Sequence, residues 1–154
     1  MQLNFYDTRI TEDYHTMLVK EKSVDYEAEK MTLPKEFAEM IHKVLDIGKL
    51  GEEYCYMFAL NTKNRVLGIF FLAKGTVNQC IVGIREVYMR ALLIGASSII
   101  FCHNHPSADC TPSSDDILLT RRLKEAGALM GIPLLDHIII GGTDYCSFKE
   151  KEIL

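Results

Sequence analysis

The chain has 154 residues, of which 48% are hydrophobic and 25% are charged, and its formal net charge at pH 7 is −4. This composition is typical of one globular domain with a hydrophobic core, and it excludes a membrane-spanning helix because no apolar run approaches the roughly 20 residues required. We expect a cytoplasmic protein with no membrane partner, since the chain start lacks the pattern of a signal peptide, and the scattered Lys and Arg residues, which form no basic stripe, give no support for nucleic-acid binding.

The N-terminal residues give the weakest structural signal. Alternating segments at Tyr14 to Lys22 and Val24 to Tyr26 match the pattern of a strand, and the many charges around them indicate exposure. We treat residues 1–31 as an N-terminal extension, to which these segments are expected to add one strand. A helix is then predicted from Thr32-Leu33-Pro34, because proline is favoured in the first turn, and it ends near Gly48 to Gly51.

The next elements form a predicted β-hairpin. A strand from Glu53 to Leu60 and a strand from Arg65 to Ala73 flank the turn Asn61-Thr62-Lys63-Asn64. The second strand is almost entirely apolar, which predicts burial on both of its faces. A further short strand is expected near Cys80 to Val82.

The rest of the chain alternates helices and strands. Helices are predicted at Arg85 to Ile94 and 113–130, and strands are predicted at Ser98 to Cys102, Leu134 to Ile140 and Tyr145 to Phe148. The buried face of the longer helix is expected to contain Leu119, Leu123, Ala126 and Met130. This order predicts a three-layer α/β (α+β) domain in which a mixed sheet lies between helices, followed by a charged tail at 151–154.

Two histidines and an aspartate stand between a predicted strand and the longer helix. His103 and His105 are two residues apart, so in extended backbone their side chains point the same way. With Asp116 they form a three-ligand shell that suits zinc and leaves a fourth position for water, as in catalytic sites. Alternatively, Ser113 and Asp116 are a capping box of the helix and need no metal. A metal-bound Asp116 is expected to cap the helix less freely.

The residues around these side chains resemble a known family. His103-Asn104-His105-Pro106 followed by Ser113-x-x-Asp116 is similar to the JAMM (MPN or JAB) zinc metalloprotease signature, and the whole stretch resembles the RadC-like subfamily. Four further strings match in order: Leu60-Asn61-Thr62-Lys63-Asn64, Gly75-Thr76, Arg85-Glu86-Val87 and Leu135-Asp136-His137-Ile138-Ile139-Ile140-Gly141. The resemblance covers residues 32–150 and implies a JAMM/MPN-like (cytidine-deaminase-like) fold.

The resemblance also implies roles for individual residues. One Zn²⁺ per chain would be bound by His103, His105 and Asp116, with Asp115 as the nearest alternative in register. Glu53 would act as the general base and then as the acid, and its neighbour Glu52 is the alternative for that role. Ser113 would donate a hydrogen bond to the oxyanion of the reaction.

We also expect structural roles for several residues near these side chains. Ala108 stands where RadC-like proteins usually have glycine, and at a positive φ alanine costs roughly 1 kcal/mol. Asp136 and His137 are expected to form a structural hydrogen-bond pair, with support of the metal ligands as the alternative. Asp109 is expected to shape the loop, and Cys110 to fill it as a reduced thiol.

The resemblance implies a zinc-dependent metallohydrolase that cleaves amide or isopeptide bonds in a peptide or protein of unspecified sequence. The alternative is a non-catalytic zinc-binding interaction module in DNA repair or mobile-element maintenance. We expect no helix-hairpin-helix segment of the kind often found in longer relatives, and this expectation weakens the DNA-repair alternative. A general base and an open ligand position favour the enzyme, because a structural zinc site needs neither.

Overall fold

A mixed seven-stranded sheet organises the computed structural model, which describes residues 1–28, 31–75 and 81–154. The strands are β1 (Gln2–Ile10), β2 (Thr16–Asp25), β3 (Tyr54–Leu60), β4 (Val66–Lys74), β5 (Ser98–Asn104), β6 (Leu134–Gly141) and β7 (Asp144–Ser147). The helices are α1 (Pro34–Val44), α2 (Ile84–Leu93) and α3 (Ser114–Met130), with a 3-10 turn at Ile47–Lys49. The strand order is β2-β1-β4-β3-β5-β6-β7.

Both faces of the central strands are apolar, and each face is covered by helix. Along β3, Phe58 and Leu60 pack on the side of α1, whereas Met57 and Ala59 pack on the side of α2 and α3. This alternation follows from the two-residue repeat of a strand. All seven residues of β5 are buried. The predicted three-layer arrangement of a mixed sheet between helices is therefore confirmed.

The pairing of β5 with its two neighbouring strands positions the two histidines and Glu53. It runs antiparallel to β3, with Cys55 opposite His103, and parallel to β6, with Ile139 beside His103. The carboxyl end of β5 therefore lies beside the start of β3. Glu53, which precedes β3, is brought next to the two histidines although 50 residues separate them in sequence.

Three expectations about strands are corrected. The N-terminal extension contains two strands and not one, since β1 and β2 make an antiparallel hairpin on the sheet, and the charged pattern of β2 reflects its place at the exposed edge. The second strand of the β3–β4 hairpin is not buried on both faces, because Phe71 is 45% exposed and is only partly covered by the rings of Tyr54 and Tyr56. Of the strand expected near Cys80 to Val82, Cys80 lies outside the described residues and the other two residues are irregular.

The expected β6–β7 hairpin is present, and the expected buried face of α3 is present in part. The β6–β7 hairpin is confirmed, with Gly141 paired to Asp144. Leu123 is fully buried on α3, but Met130 is 48% exposed, because the helix ends there and Gly131 turns the chain with a φ of 69°. Within the described residues, no helix is long and apolar enough to cross a membrane.

A glycine in α3 allows the helix to lie close to neighbouring backbone. A Cβ atom at Gly127 would stand 2.5 Å from the carbonyl oxygen of Ile132 and 2.5 Å from the hydroxyl oxygen of Tyr88. That hydroxyl donates to the carbonyl of Leu123 at 2.7 Å, so it cannot move without losing a buried hydrogen bond. The contact between α2, α3 and the start of β6 therefore requires glycine at this position.

We predict that Gly127→Ala destabilises the fold by about 1–3 kcal/mol through overpacking, although alanine is the better helix former by up to about 1 kcal/mol. Gly51→Ala is the matched control, because a Cβ there meets nothing within 4 Å. Urea unfolding of both variants measures the difference. Equal stability of the two variants would contradict the close approach described at Gly127.

Candidate metal centre

The three predicted ligands converge where β5 ends and α3 begins. The Nε2 atoms of His103 and His105 lie 3.0 Å apart. Asp116 places Oδ1 3.1 Å from Nε2 of His103 and Oδ2 3.3 Å from Nε2 of His105. One ligand atom from each residue fits within 4.8 Å of the others. Two imidazole nitrogens and one carboxylate group are therefore close enough to contact a single ion, whose bonds to such ligands are about 2.0–2.2 Å long.

Asp116 has two structural tasks at once. Its Oδ2 accepts a hydrogen bond from the backbone N–H of Ser113 at 2.7 Å, and its own N–H donates to Oγ of Ser113 at 3.1 Å. This is a capping box at the start of α3. The same carboxylate caps the helix and faces both histidines, so the two sequence interpretations of Asp116 are compatible. A weaker cap when Asp116 binds a metal stays a prediction.

The cap and the histidines determine the charge of Asp116. Burial favours the neutral acid, but hydrogen bonds with His103 and His105, together with the N–H of Ser113, hold the pKa of this carboxyl well below its usual range. The pKa of His105 is raised, mainly by its hydrogen bond with Asp116. The site therefore presents a carboxylate and not a carboxylic acid, as a metal ligand requires.

The ring of His105 is also fixed from its other side. Its Nδ1 lies 2.7 Å from the backbone carbonyl oxygen of Asp109, while the Asp109 carboxylate accepts the N–H of Thr111 at 2.9 Å. Asp109 shapes the loop, as expected. Ala108 has a φ of 63°, so this position adopts the left-handed conformation that glycine tolerates best. Cys110 points its Sγ toward the carbonyl of Gly141, at 3.8 Å.

Glu53 lies in the same cleft as the three ligands, whereas Glu52 does not. Glu53 is 8% exposed. Burial raises the pKa of its carboxyl, although the nearby His103 and His105 oppose the shift. Glu52 instead forms an ion pair with Lys74 at 3.1 Å and keeps about half of its side chain exposed. Of the two acids left open by sequence, the geometry places Glu53 beside the candidate metal centre.

An asparagine between the histidines holds the segment that carries Glu53. Oδ1 of Asn104 accepts from the N–H of Tyr54 at 2.7 Å. Its Nδ2 donates to the carbonyl of Glu52 at 3.0 Å and approaches that of Leu50 at 3.5 Å. The single amide thus binds the backbone on both sides of Glu53. Sequence analysis missed this role because the partners are 50 or more residues away.

Asp136 and His137 form the expected hydrogen-bonded pair, but through the backbone N–H of His137 and not through its ring. Successive residues of a strand point to opposite faces. The Asp136 carboxylate accepts hydrogen bonds from the backbone N–H groups of His137 and Lys149 and from the hydroxyl of Ser147. The His137 ring lies on the other face, where its Nε2 is 2.8 Å from Nδ1 of His103.

Thr120 completes this cluster behind His103. Its Oγ1 lies 2.6 Å from Nδ1 of His137 and donates to the backbone carbonyl of Asp116 at 2.6 Å. Burial lowers the pKa of His137 well below its ordinary value, since the ring is fully enclosed. Sequence alone gave no signal for Thr120, which looks like any buried residue of an amphipathic helix.

Sequence comparison identifies the family. The profile described as RadC-like JAB domain matches residues 31–153. The chain belongs to the family of RadC-like JAB domains. UPF0758 proteins are similar to it: one from Clostridium acetobutylicum is 46% identical over 129 residues, which are 84% of this chain and 56% of the relative. One from Clostridium novyi is 52% identical over 103 residues, which are 67% of this chain and 45% of the relative.

A further UPF0758 protein, from Clostridium tetani, is 46% identical over 124 residues, which are 80% of this chain and 54% of the relative. The chain thus spans about half the length of the curated relatives it matches. The names of these relatives state no activity. The RadC-like JAB chain is therefore assigned to its family by sequence, and its chemistry is inferred from its own residues.

The role of Asn104 predicts a stability effect that depends on pH. In Asn104→Asp, a carboxylate oxygen would face the carbonyl oxygens of Glu52 and Leu50, so burial and repulsion raise its folded-state pKa above the unfolded value of ~3.9. A group with a raised folded-state pKa loses its stability contribution as pH rises. We expect this variant to lose more than about 3 kcal/mol at pH 7 and much less at pH 4.

Asn61→Asp is the control for this substitution. Oδ1 of Asn61 accepts from the N–H groups of Lys63 and Arg65 at 2.9 and 3.0 Å, an arrangement that a carboxylate can keep. Its stability should change by less than about 0.5 kcal/mol. Chemical unfolding at the two pH values provides the measurement. If Asn104→Asp lost little stability, or lost the same amount at both pH values, Asn104 would not hold the backbone around Glu53.

Proposed function

We propose that this RadC-like JAB domain is a zinc-dependent metallohydrolase that cleaves amide or isopeptide bonds. The observation that carries the proposal is the convergence of His103, His105 and Asp116, with ligand atoms 3.0–3.3 Å apart, in a cleft that Glu53 and Ser113 also line. Two imidazoles and one carboxylate are donors that suit zinc better than magnesium or calcium. Bound zinc would polarise a substrate carbonyl and lower the pKa of water to about 7.

The acid–base work falls to Glu53. Its carboxylate is buried beside the ligands, and burial raises its pKa toward the range in which a group can both accept and return a proton. A carboxylate oxygen of Glu53 accepts the proton released by the attacking water. It then passes that proton to the nitrogen of the leaving amine. Asn104 keeps this carboxylate in place through the backbone on both sides of it.

Ser113 is suited to donate to the developing oxyanion. Its Oγ accepts the N–H of Asp116 at 3.1 Å, which orients the side chain toward the cleft. The hydroxyl hydrogen has no acceptor among the described residues, so it is available for an oxygen of the substrate. Donors of this kind typically contribute about 2.7–4 kcal/mol to transition-state stabilisation.

The cleft is large enough for a short stretch of peptide. Its volume is about 510 Å³, within the range of roughly 300–1,000 Å³ that is common for small-ligand sites. Beside the ligands, part of the wall is apolar and is contributed by Ile81, Val82, Leu118 and Leu119, and the charged residues Asp115 and Arg122 also line the cleft. A peptide could therefore place an apolar side chain against this wall and its amide bond at the ligands. This combination supports a peptide as the proposed substrate.

Metal content tests the ligand assignment. We expect the purified, zinc-reconstituted protein to hold about one zinc per chain, and Asp116→Ala to hold almost none, because two imidazoles alone bind the ion weakly. Asp115→Ala is the matched control and should keep its zinc, since that neighbouring acid is exposed on the helix. Elemental analysis after dialysis measures the ratio. Equal zinc in Asp116→Ala and wild type would remove Asp116 from the ligand set.

Peptide hydrolysis tests the role of Glu53. Glu53→Gln should keep zinc but lower kcat by about 100- to 10,000-fold, as expected for loss of a general base, while Glu52→Gln should stay near wild type. The wild-type rate should fall as pH drops through the raised pKa of Glu53, because the protonated acid cannot accept a proton. Mass spectrometry of a mixed peptide and isopeptide library detects the products. Full zinc loading with no hydrolysis under any condition would contradict an enzyme and favour a metal-binding interaction module.

A further inference from the structure

The hydrogen-bond partners of Thr120 and His137 determine where their side-chain hydrogens lie. A carbonyl oxygen only accepts, so the hydroxyl hydrogen of Thr120 points to the Asp116 carbonyl, 2.6 Å away. The same Oγ1 has no second hydrogen. It must therefore accept from Nδ1 of His137, which lies 2.6 Å from it. His137 is thus protonated on Nδ1.

The next step fixes the ring of His103. The His137 ring is 0% exposed, stacks on Phe148 at 4.4 Å between centroids and meets Phe101 edge-on. Within the described residues, its two nitrogens contact only Thr120 and His103, so burial favours the neutral ring. A neutral ring with hydrogen on Nδ1 has a lone pair on Nε2. The Nδ1 of His103, 2.8 Å away, must donate to that lone pair.

We propose that Thr120 and His137 are positioning residues of the metal centre, which hold a hydrogen on Nδ1 of His103 and so leave its Nε2 as the ligand atom. The chain of three hydrogen bonds runs from the Asp116 carbonyl through Thr120 and His137 to His103. It links the backbone of one ligand to the ring of another. His105 reaches the same state directly, because its Nδ1 donates to the Asp109 carbonyl at 2.7 Å.

Without this chain, His103 would have two tautomers available, and one of them carries its hydrogen on the atom that must bind the ion. Hydrogen bonds to ligating histidines are typically worth 10- to 100-fold in metal affinity. The inference rests on the metal binding proposed above, but it does not depend on hydrolysis. It assigns function to a threonine and a histidine that contact no ion themselves.

The first test measures zinc affinity by competition with a chelator. Thr120→Val keeps the shape of the side chain but removes both hydrogen bonds, and we expect its zinc affinity to fall about 10- to 100-fold. Thr120→Ser keeps the hydroxyl and should remain within about threefold of wild type by the same reasoning. Unfolding of the metal-free proteins controls for packing. Unchanged affinity in the valine variant, or an equal loss in both variants, would overturn the proposal.

The second test reads the protons themselves and needs no metal. In protein labelled with ¹⁵N-histidine, long-range ¹H–¹⁵N spectra distinguish a protonated from an unprotonated ring nitrogen, and His→Gln variants assign the five histidines. We expect hydrogen on Nδ1 of both His103 and His137, and none on Nε2 of His137. A hydrogen on Nε2 of His137 would overturn the proposal. If wild type binds no zinc, the metal-site proposal fails, and the ring spectra still decide the hydrogen-bond chain.

Discussion

The site depends on the position of β5 between two strands of opposite direction. Antiparallel pairing with β3 sets Cys55 opposite His103, and parallel pairing with β6 sets Ile139 beside the same histidine. One strand therefore receives Glu53 from one side and His137 from the other. Because successive side chains of a strand point to opposite faces, a one-residue shift of β5 would turn His103 away from Asp116. The sheet thus fixes the relative positions of Glu53, His103 and His137.

Asp116 connects this rigid edge to α3. The capping box holds its carboxylate at the start of the helix, and the carbonyl of the same residue anchors Thr120 one turn later. Two imidazole nitrogens and a carboxylate are held within 3.3 Å of one another. An ion bound between these three groups would therefore stabilise the folded protein, because it would bind the folded chain and not the unfolded one.

Local patterns carried much of the prediction. The spacing of His103 and His105 at a strand end, with Asp116 at a helix start, depends on short stretches of chain, and the structure brings the three residues together. The order of helices and strands also followed from periodicity. What sequence could not provide depends on strand order. Asn104 binds backbone about 50 residues away, and His137 reaches His103 across 34 residues, so neither contact leaves a local signal.

X-ray absorption spectroscopy of the zinc-loaded protein tests the central claim most directly. If His103, His105 and Asp116 bind the ion, the first shell contains only nitrogen and oxygen at about 2.0–2.2 Å, with the outer-ring scattering of two imidazoles. His103→Gln should remove one of those imidazole contributions. A sulfur neighbour at about 2.3 Å, which would place Cys110 or another cysteine in the shell, or a spectrum unchanged by the substitution, would contradict this account of the metal centre.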